Sequence, residues 1–135
     1  MPFTGNFTCN IFKTGLLDGT ADFGSGIFKV ALYTNAATLD ENTTGYTPDG
    51  EVAAVGYMAG GEVVVPTVSS SGGVSFVSFG NAVWNGAFTA RGALIYKVGG
   101  PAICVLDFGA DRTSTTQFQV QFPPSTADSA ILRIS

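Results

Sequence analysis

The chain contains no histidine. A Ser-His-Asp triad, a histidine general base and most catalytic zinc sites therefore have no place in it. Cysteine is almost as scarce, with Cys9 and Cys104 the whole complement. Two cysteines near opposite ends form neither a disulfide framework nor a thiolate zinc site, and neither has a visible activating neighbour. Both read as small buried hydrophobes of a protein folded in a reducing cytoplasm. Charge is thin as well. Asp, Glu, Lys and Arg make up 12% of the residues, against a usual share of about 25%. The six Lys and Arg are scattered and the net charge is -4, so the clustered cations that neutralise nucleic-acid phosphates are missing. No apolar run approaches the roughly 20 residues of a membrane helix. Met1-Pro2-Phe3 begins no signal peptide, since the basic start and apolar core are lacking. The expectation is a protein with no nucleic-acid, membrane or secretory role, which leaves the Asn-x-Thr sequons at Asn6 and Asn42 without consequence.

What is present is apolar and small. Hydrophobic residues make up 45% of 135 residues, enough for one domain with a real core. So little charge is a poor solvent coat. Ser, Thr, Asn and Gln cover part of the outside, and the remainder is expected to be covered by another protein. Oligomer or assembly component is the reading.

The 18 glycines follow no repeat period and punctuate short segments, as in a chain of strands and turns. "NFTCNIFKTGLLDG" (6–19) is the best helix candidate, with Phe7, Ile11 and Leu16 on one face and Gly19 ending it. "IFKVALYT" (27–34) reads as a strand buried on both faces apart from Lys29. A long polar connection follows at 35–52, with a turn at Thr47-Pro48-Asp49-Gly50. "GGEVVVPTV" (60–68) reads as an edge or bulged strand because of Pro66. "VSFVSF" (74–79) is another strand, preceded by a Ser/Gly turn at 69–73. Asn85-Gly86 predicts a tight turn, followed by a long strand, "FTARGALIYK". "AICVLDF" (102–108) reads as a central strand and "GADRTS" as a turn. "TQFQVQFPP" (116–124) alternates Phe118, Val120 and Phe122 inward with Gln117, Gln119 and Gln121 outward. "SAILRIS" closes the chain as a last strand.

The expected fold is all-β: a β-sandwich or jelly roll of about seven or eight antiparallel strands in a Greek-key order, with an up-and-down barrel as the alternative. Residues 1–24 are expected to form an N-terminal arm or short helix and residues 25–135 the sandwich.

Candidate chemistry is sparse. Asp107 and Asp111, with Asp40 and Glu41, are the only carboxylates that suggest a glycosidase-like pair. The plainer reading has Asp107 ending a strand and Asp111 in a turn, paired locally with Arg112. Asp40, Glu41, Asp49 and Glu51 lie in acidic loops that could bind Ca²⁺ weakly, but their spacing matches no EF-hand. The glycine pairs at 60–61, 72–73 and 99–100 lack the spacing and the helix of a phosphate loop. No catalytic, cofactor-binding or metal-binding residue is assigned. The window "AVWNGAFTARGALIYK" (82–97) gathers Trp84, Phe88, Arg91 and Tyr96. A stacking platform for bases or sugars is conceivable there, but the positive charge a nucleic-acid groove needs is missing. The expectation is structural first, with Trp84 and Phe88 in the core and Arg91 paired with a carboxylate. Contact with another protein comes second, since Trp, Tyr and Arg are the hot-spot residues. The candidate interface residues are Trp84, Arg91, Tyr96, Tyr33, Tyr46, Tyr57, Asp40 and Glu41.

Taken together, "KVALYTNAATLDENTTGYTPDGEV" (29–52), "GYMAGG" (56–61), "FTARGALIYK" (88–97) and "ICVLDFG" (103–109) resemble a family of small structural proteins of tailed bacteriophages, of the capsid cement or decoration type. The similarity runs over most of the chain from about residue 25. The resemblance implies a non-enzymatic virion protein, assembled in the host cytoplasm and located on the capsid surface. It would bind the outer shell, bridge major capsid subunits and oppose internal DNA pressure, acting as a homo-oligomer (dimer or trimer). Loops 35–58 would touch the shell, and the N-terminal arm would reach an adjacent subunit. No catalytic residue or cofactor carries over from the family. The alternatives are a neck, tail or fibre adaptor of the virion, and a carbohydrate- or host-surface-binding β-sandwich with an exposed aromatic groove around Trp84 and Tyr96.

Overall fold

The computed structural model describes residues 7–19, 22–24, 26–120 and 132–134. In chain order the elements are β1 (Phe7–Thr8), α1 (Asn10–Asp18), β2 (Phe28–Tyr33), β3 (Glu62–Val64), β4 (Pro66–Ser71), β5 (Val74–Phe79), β6 (Ala82–Trp84), β7 (Thr89–Lys97), β8 (Ala102–Thr113), β9 (Phe118–Val120) and β10 (Leu132–Ile134). A five-stranded sheet has the order β1-β8-β7-β2-β3, a three-stranded sheet the order β10-β5-β4, and β6 pairs with β9. Every strand pair is antiparallel. The described residues therefore form a mostly β fold with several antiparallel sheets and one helix. The described residues hold ten strands where about seven or eight were expected, because β1 was not foreseen and the run at 60–68 divides.

The large sheet is built around β7, its middle strand, in which Ala90, Gly92 and Ala93 are buried. β2 lies against it from Phe28↔Lys97 to Tyr33↔Gly92. Val30, Leu32, Leu94, Ile95 and Val105 are fully buried, and each contributes about 1.5–3 kcal/mol relative to exposure. Strand alternation puts Phe28, Val30 and Leu32 on one face and Lys29, Ala31 and Tyr33 on the other. On the first face a chain of rings joins three elements. Phe12 of α1 meets Phe23 with ring centroids 5.5 Å apart, Phe23 meets Phe28 of β2 at 5.2 Å, and Phe28 meets Phe79 of β5 at 6.5 Å.

Several expectations are corrected. The helix forms and Gly19 follows it, but its buried positions are Phe12 and Gly15, whereas Ile11 and Leu16 are exposed. Phe7 belongs to β1, so the apolar face of the helix is counted from Cys9 onward and the Phe7–Ile11–Leu16 stripe does not exist. Phe7 and Thr8 pair with Val105 and Cys104, and Phe12 packs in the core, so this segment is part of the same core as the sheet. The run at 60–68 leaves the large sheet at Val65 and enters the small one at Pro66. Proline lacks an N–H and biases its predecessor, so the ladder breaks there and resumes as an edge strand. Asn85-Gly86 makes no hairpin, because Trp84 pairs across to Phe118 and the chain crosses to β7. "GADRT" is no turn either, since β8 continues through it and pairs Arg112 with Ala90 and Thr113 with Thr89. The Gly72-Gly73 turn does form, with φ of 59° and 83° between the paired Ser71 and Val74. Positive φ at both central residues is the signature of a type I′ hairpin. Phe122 and Gln121 lie outside the described residues.

Candidate functional site: a clamped loop on the tyrosine face

Residues 34–61 do not trail away as a polar connection. They fold against the tyrosine face of the large sheet and are tied there at several points. β3 ends opposite Val30, which leaves the edge of β2 open at Leu32 and Tyr33. The loop fills that gap. Val52 N–H donates to Leu32 O at 3.0 Å, Thr34 N–H donates to Gly50 O at 2.8 Å, and Tyr33 forms a bridge with Glu51. The remaining Leu32 N–H donates to the Tyr57 hydroxyl at 3.0 Å. A side chain thus completes a backbone ladder, as a buried N–H requires.

All four tyrosines of the chain lie in this region, and Glu51 is its hub. Its carboxylate accepts the Tyr46 hydroxyl at 2.5 Å, the Gly60 N–H at 2.8 Å and the Tyr57 hydroxyl. The Tyr96 hydroxyl donates to Gly60 O and the Tyr33 hydroxyl to Thr47 O, each at 2.7 Å. Tyr46 and Tyr96 stack with centroids 5.0 Å apart. Burial raises the phenols above their ordinary range, and the Glu51 charge adds to the effect. Tyr46 is pushed up to about 12, and Tyr33, Tyr57 and Tyr96 also move upward.

The tip of the loop is fixed by backbone contact. At Gly56, φ is 92° and an added Cβ would stand 2.3 Å from Asn85 O; at Gly86 it would stand 2.7 Å from Val55 O. The two glycines let the strands of chain cross with no side chain between them. Asn85-Gly86 therefore serves as a seat for the loop. On this seat Val55 is 95% exposed and Met58 80% exposed. Both apolar side chains stand on an anchored backbone, so covering them would carry a low ordering cost.

The expected interface residues separate into two groups. Trp84 is 2% exposed, and Tyr33, Tyr57 and Tyr96 are also buried, so none of these four faces outward. Their hydroxyls and rings are used inside: Trp84 packs on Tyr57 at 6.1 Å and edge-on to Phe118 at 6.3 Å. Arg91 is half-buried and pairs with Asp107. Burial opposes ionisation of Asp107, but the Gly109 N–H and Arg91 together outweigh it, so this carboxyl titrates below its usual range. Arg91 is thus paired with a carboxylate, whereas Asp111 accepts from Asn35 Nδ2 at 3.2 Å and Arg112 donates to Phe108 O at 3.2 Å, so the expected Asp111–Arg112 pair is replaced. Tyr46, Asp40 and Glu41 remain at the surface. Asp40 caps the backbone N–H of Asn42 at 2.8 Å, and Glu41 O accepts from Asn10 N–H at 2.7 Å, joining this loop to the start of α1.

Among the described residues no three His, Cys, Asp or Glu side chains come together as a metal site. The thiols are buried, Cys9 being raised to about 11 by burial and by Asp40, and Cys104 raised by burial. An open groove of about 480 Å³ runs beside β9, lined by Phe108, Arg112, Gln117, Phe118 and Gln119 among others. Sequence spacing marks neither Val55 nor Met58. Their only signal is that two large apolar residues sit in a stretch otherwise rich in Gly and Ala. Compared with protein-family models, with curated proteins and with solved structures, the chain matches none.

Proposed function

We propose that this chain is a non-enzymatic structural protein of a virion. In the most concrete form it is a capsid decoration protein that docks on the outer shell through the loop at 53–60 and bridges major capsid subunits. The observation that carries the docking surface is the anchored pair Val55 and Met58, held outward by the Glu51 clamp and the Gly56–Gly86 crossing. The virion assignment rests on the resemblance of residues 29–52, 56–61, 88–97 and 103–109. The internal carboxylates fit this reading, since Glu51 and Asp107 are each engaged by structural donors. We also infer that the two larger sheets close as a sandwich, supported by the Phe28–Phe79 contact between them.

The test is a side-chain-resolution map of the intact particle, paired with rebinding to shells that lack the protein. Regular density on the outer shell, with Val55 and Met58 at the contact, is expected. Val55→Asp and Met58→Asp together should reduce rebinding by at least about tenfold, given the 1.5–3 kcal/mol that a buried apolar side chain contributes. Wild-type protein that fails to bind such shells sinks the decoration reading, and density confined to the neck or tail selects the adaptor. A second reading, glycan binding, is favoured by the groove with Phe108, Phe118 and planar amides. It predicts chemical-shift changes at Gln117 and Gln119 on titration with saccharides.

A further inference from the structure

The outer edge of β4 is unusual for a strand exposed to water. Every residue from Thr67 to Ser71 is exposed although β4 pairs with β5 along its length. Among the described residues no strand covers the other side. Natural edges are guarded by Lys or Glu, by an internal proline or by a bulge, because an unguarded edge pairs with another strand. β4 has none of these within 67–71, and its ladder to β5 is regular from Pro66↔Phe79 to Ser71↔Val74. The lack of charge is not local to β4. Between Glu62 and Arg91 the chain carries no Asp, Glu, Lys or Arg.

The pairing also fixes which groups face outward. A two-residue turn makes Ser71 and Val74 a hydrogen-bonded pair, and antiparallel ladders alternate from there. Ser69 and Thr67 thus bond to β5, while Val68 and Ser70 turn their N–H and C=O to the open side. Pro66 falls on the same outward phase, so its missing N–H costs β4 no bond to β5.

We propose that β4 pairs antiparallel with β4 of a second copy of this chain, joining two three-stranded sheets across a twofold axis. The occupant follows from charge. A twofold contact sets each strand against its own sequence, so a charged edge would meet its like, and a chain of net charge -4 repels its copy over most other surfaces. The uncharged edge at 67–71 avoids this. With Ser69 on the axis, Val68 faces Ser70 of the other copy, and the two residues exchange both backbone hydrogen bonds. Val68, 60% exposed in one chain, becomes covered. The inference does not depend on the virion reading.

The experiment is analytical ultracentrifugation of the purified full chain beside Val68→Lys, Ser70→Pro and Val68→Thr, with amide exchange on the wild type. The wild type and Val68→Thr are expected to sediment as dimers. Val68→Lys sets like charges near the axis, and Ser70→Pro removes an outward N–H while leaving the ladder to β5 intact. Both should halve the mass with unchanged circular dichroism. Wild-type Val68 and Ser70 amides should be protected from exchange. A monomeric wild type, a dimer that survives either disruptive substitution, or free exchange at Ser70 in the wild type would overturn the proposal. The exchange result decides without any variant having to fold.

Discussion

Glu51 shows how one side chain can hold a long loop in place. A carboxylate that accepts two phenols and a backbone N–H makes charge-assisted hydrogen bonds, each worth about 1.5–3 kcal/mol. Removing it leaves the Tyr57 hydroxyl and the Gly60 N–H without their acceptor. Glu51→Ala is expected to destabilise the fold by about 3 kcal/mol, seen as a lower urea midpoint. The same variant should let Tyr46 ionise at lower pH than in the wild type, part of the way back to the ordinary range, because burial remains after the carboxylate is gone. For a phenol whose folded value is raised, stability is full below the unfolded value of about 10 and is lost as pH rises through the folded value. An alkaline titration of phenolate absorbance checks both points, and a Tyr46 titration unchanged by the substitution would contradict this account. Nothing in the spacing of Tyr33, Tyr46, Tyr57 and Tyr96 announces the cluster. Tyrosine is as much a hot-spot residue as a core residue with a polar tip, and only the closed fold shows that the hydroxyls point inward.

At the level of elements, the parts legible in the sequence were those whose local pattern and tertiary role agree. β2 and β5 lie inside the segments read as strands, the Gly72-Gly73 turn forms, and Gly19 follows the helix. The misreadings fall where local chemistry is overridden by long-range pairing. Asn85-Gly86 has the residues of a hairpin, yet the glycine is required by the approach of Gly56 from a different part of the chain. "GADRT" has turn residues, yet β7 offers a ladder partner for Arg112 and Thr113. The crossing gives a direct prediction. Gly56→Ala places a methyl against Asn85 O and forces a positive φ on alanine, which should cost about 3 kcal/mol. Gly72→Ala, with open space around it, should cost only about 1 kcal/mol. Denaturant midpoints for the two variants test the contrast, and equal losses would mean that the crossing is not a tight contact.

For the molecule as a whole, the shortage of charge foreseen in the composition acquires a location. Charge is confined to the N-terminal third, the 40–62 loop and the stretch from Arg91 to Arg112, with Asp128 and Arg133 near the end. The surface without it includes the edge that β4 presents. Low charge predicts room for a partner, and four of the residues expected on that surface, Trp84, Tyr33, Tyr57 and Tyr96, are consumed by the core instead. The apolar residues left outside include Val55, Met58, Val65 and Val68, which are smaller than the aromatics and carry no signal in the spacing. Cys9 and Cys104 have a consequence of a different kind. Both thiols are sealed from solvent and raised in pKa by burial, so a thiol reagent at neutral pH reaches them only when the structure opens. The protein thus carries two gauges of its own breathing, one where the two-residue β1 gives way to α1 and one near the start of β8. Cys9 should be labelled ahead of Cys104, since freeing it takes only the loss of a short ladder and one helix, whereas Cys104 waits for the sheet itself to part. Equal rates, followed by mass spectrometry, would instead mean that the chain has no separable edge and opens all at once.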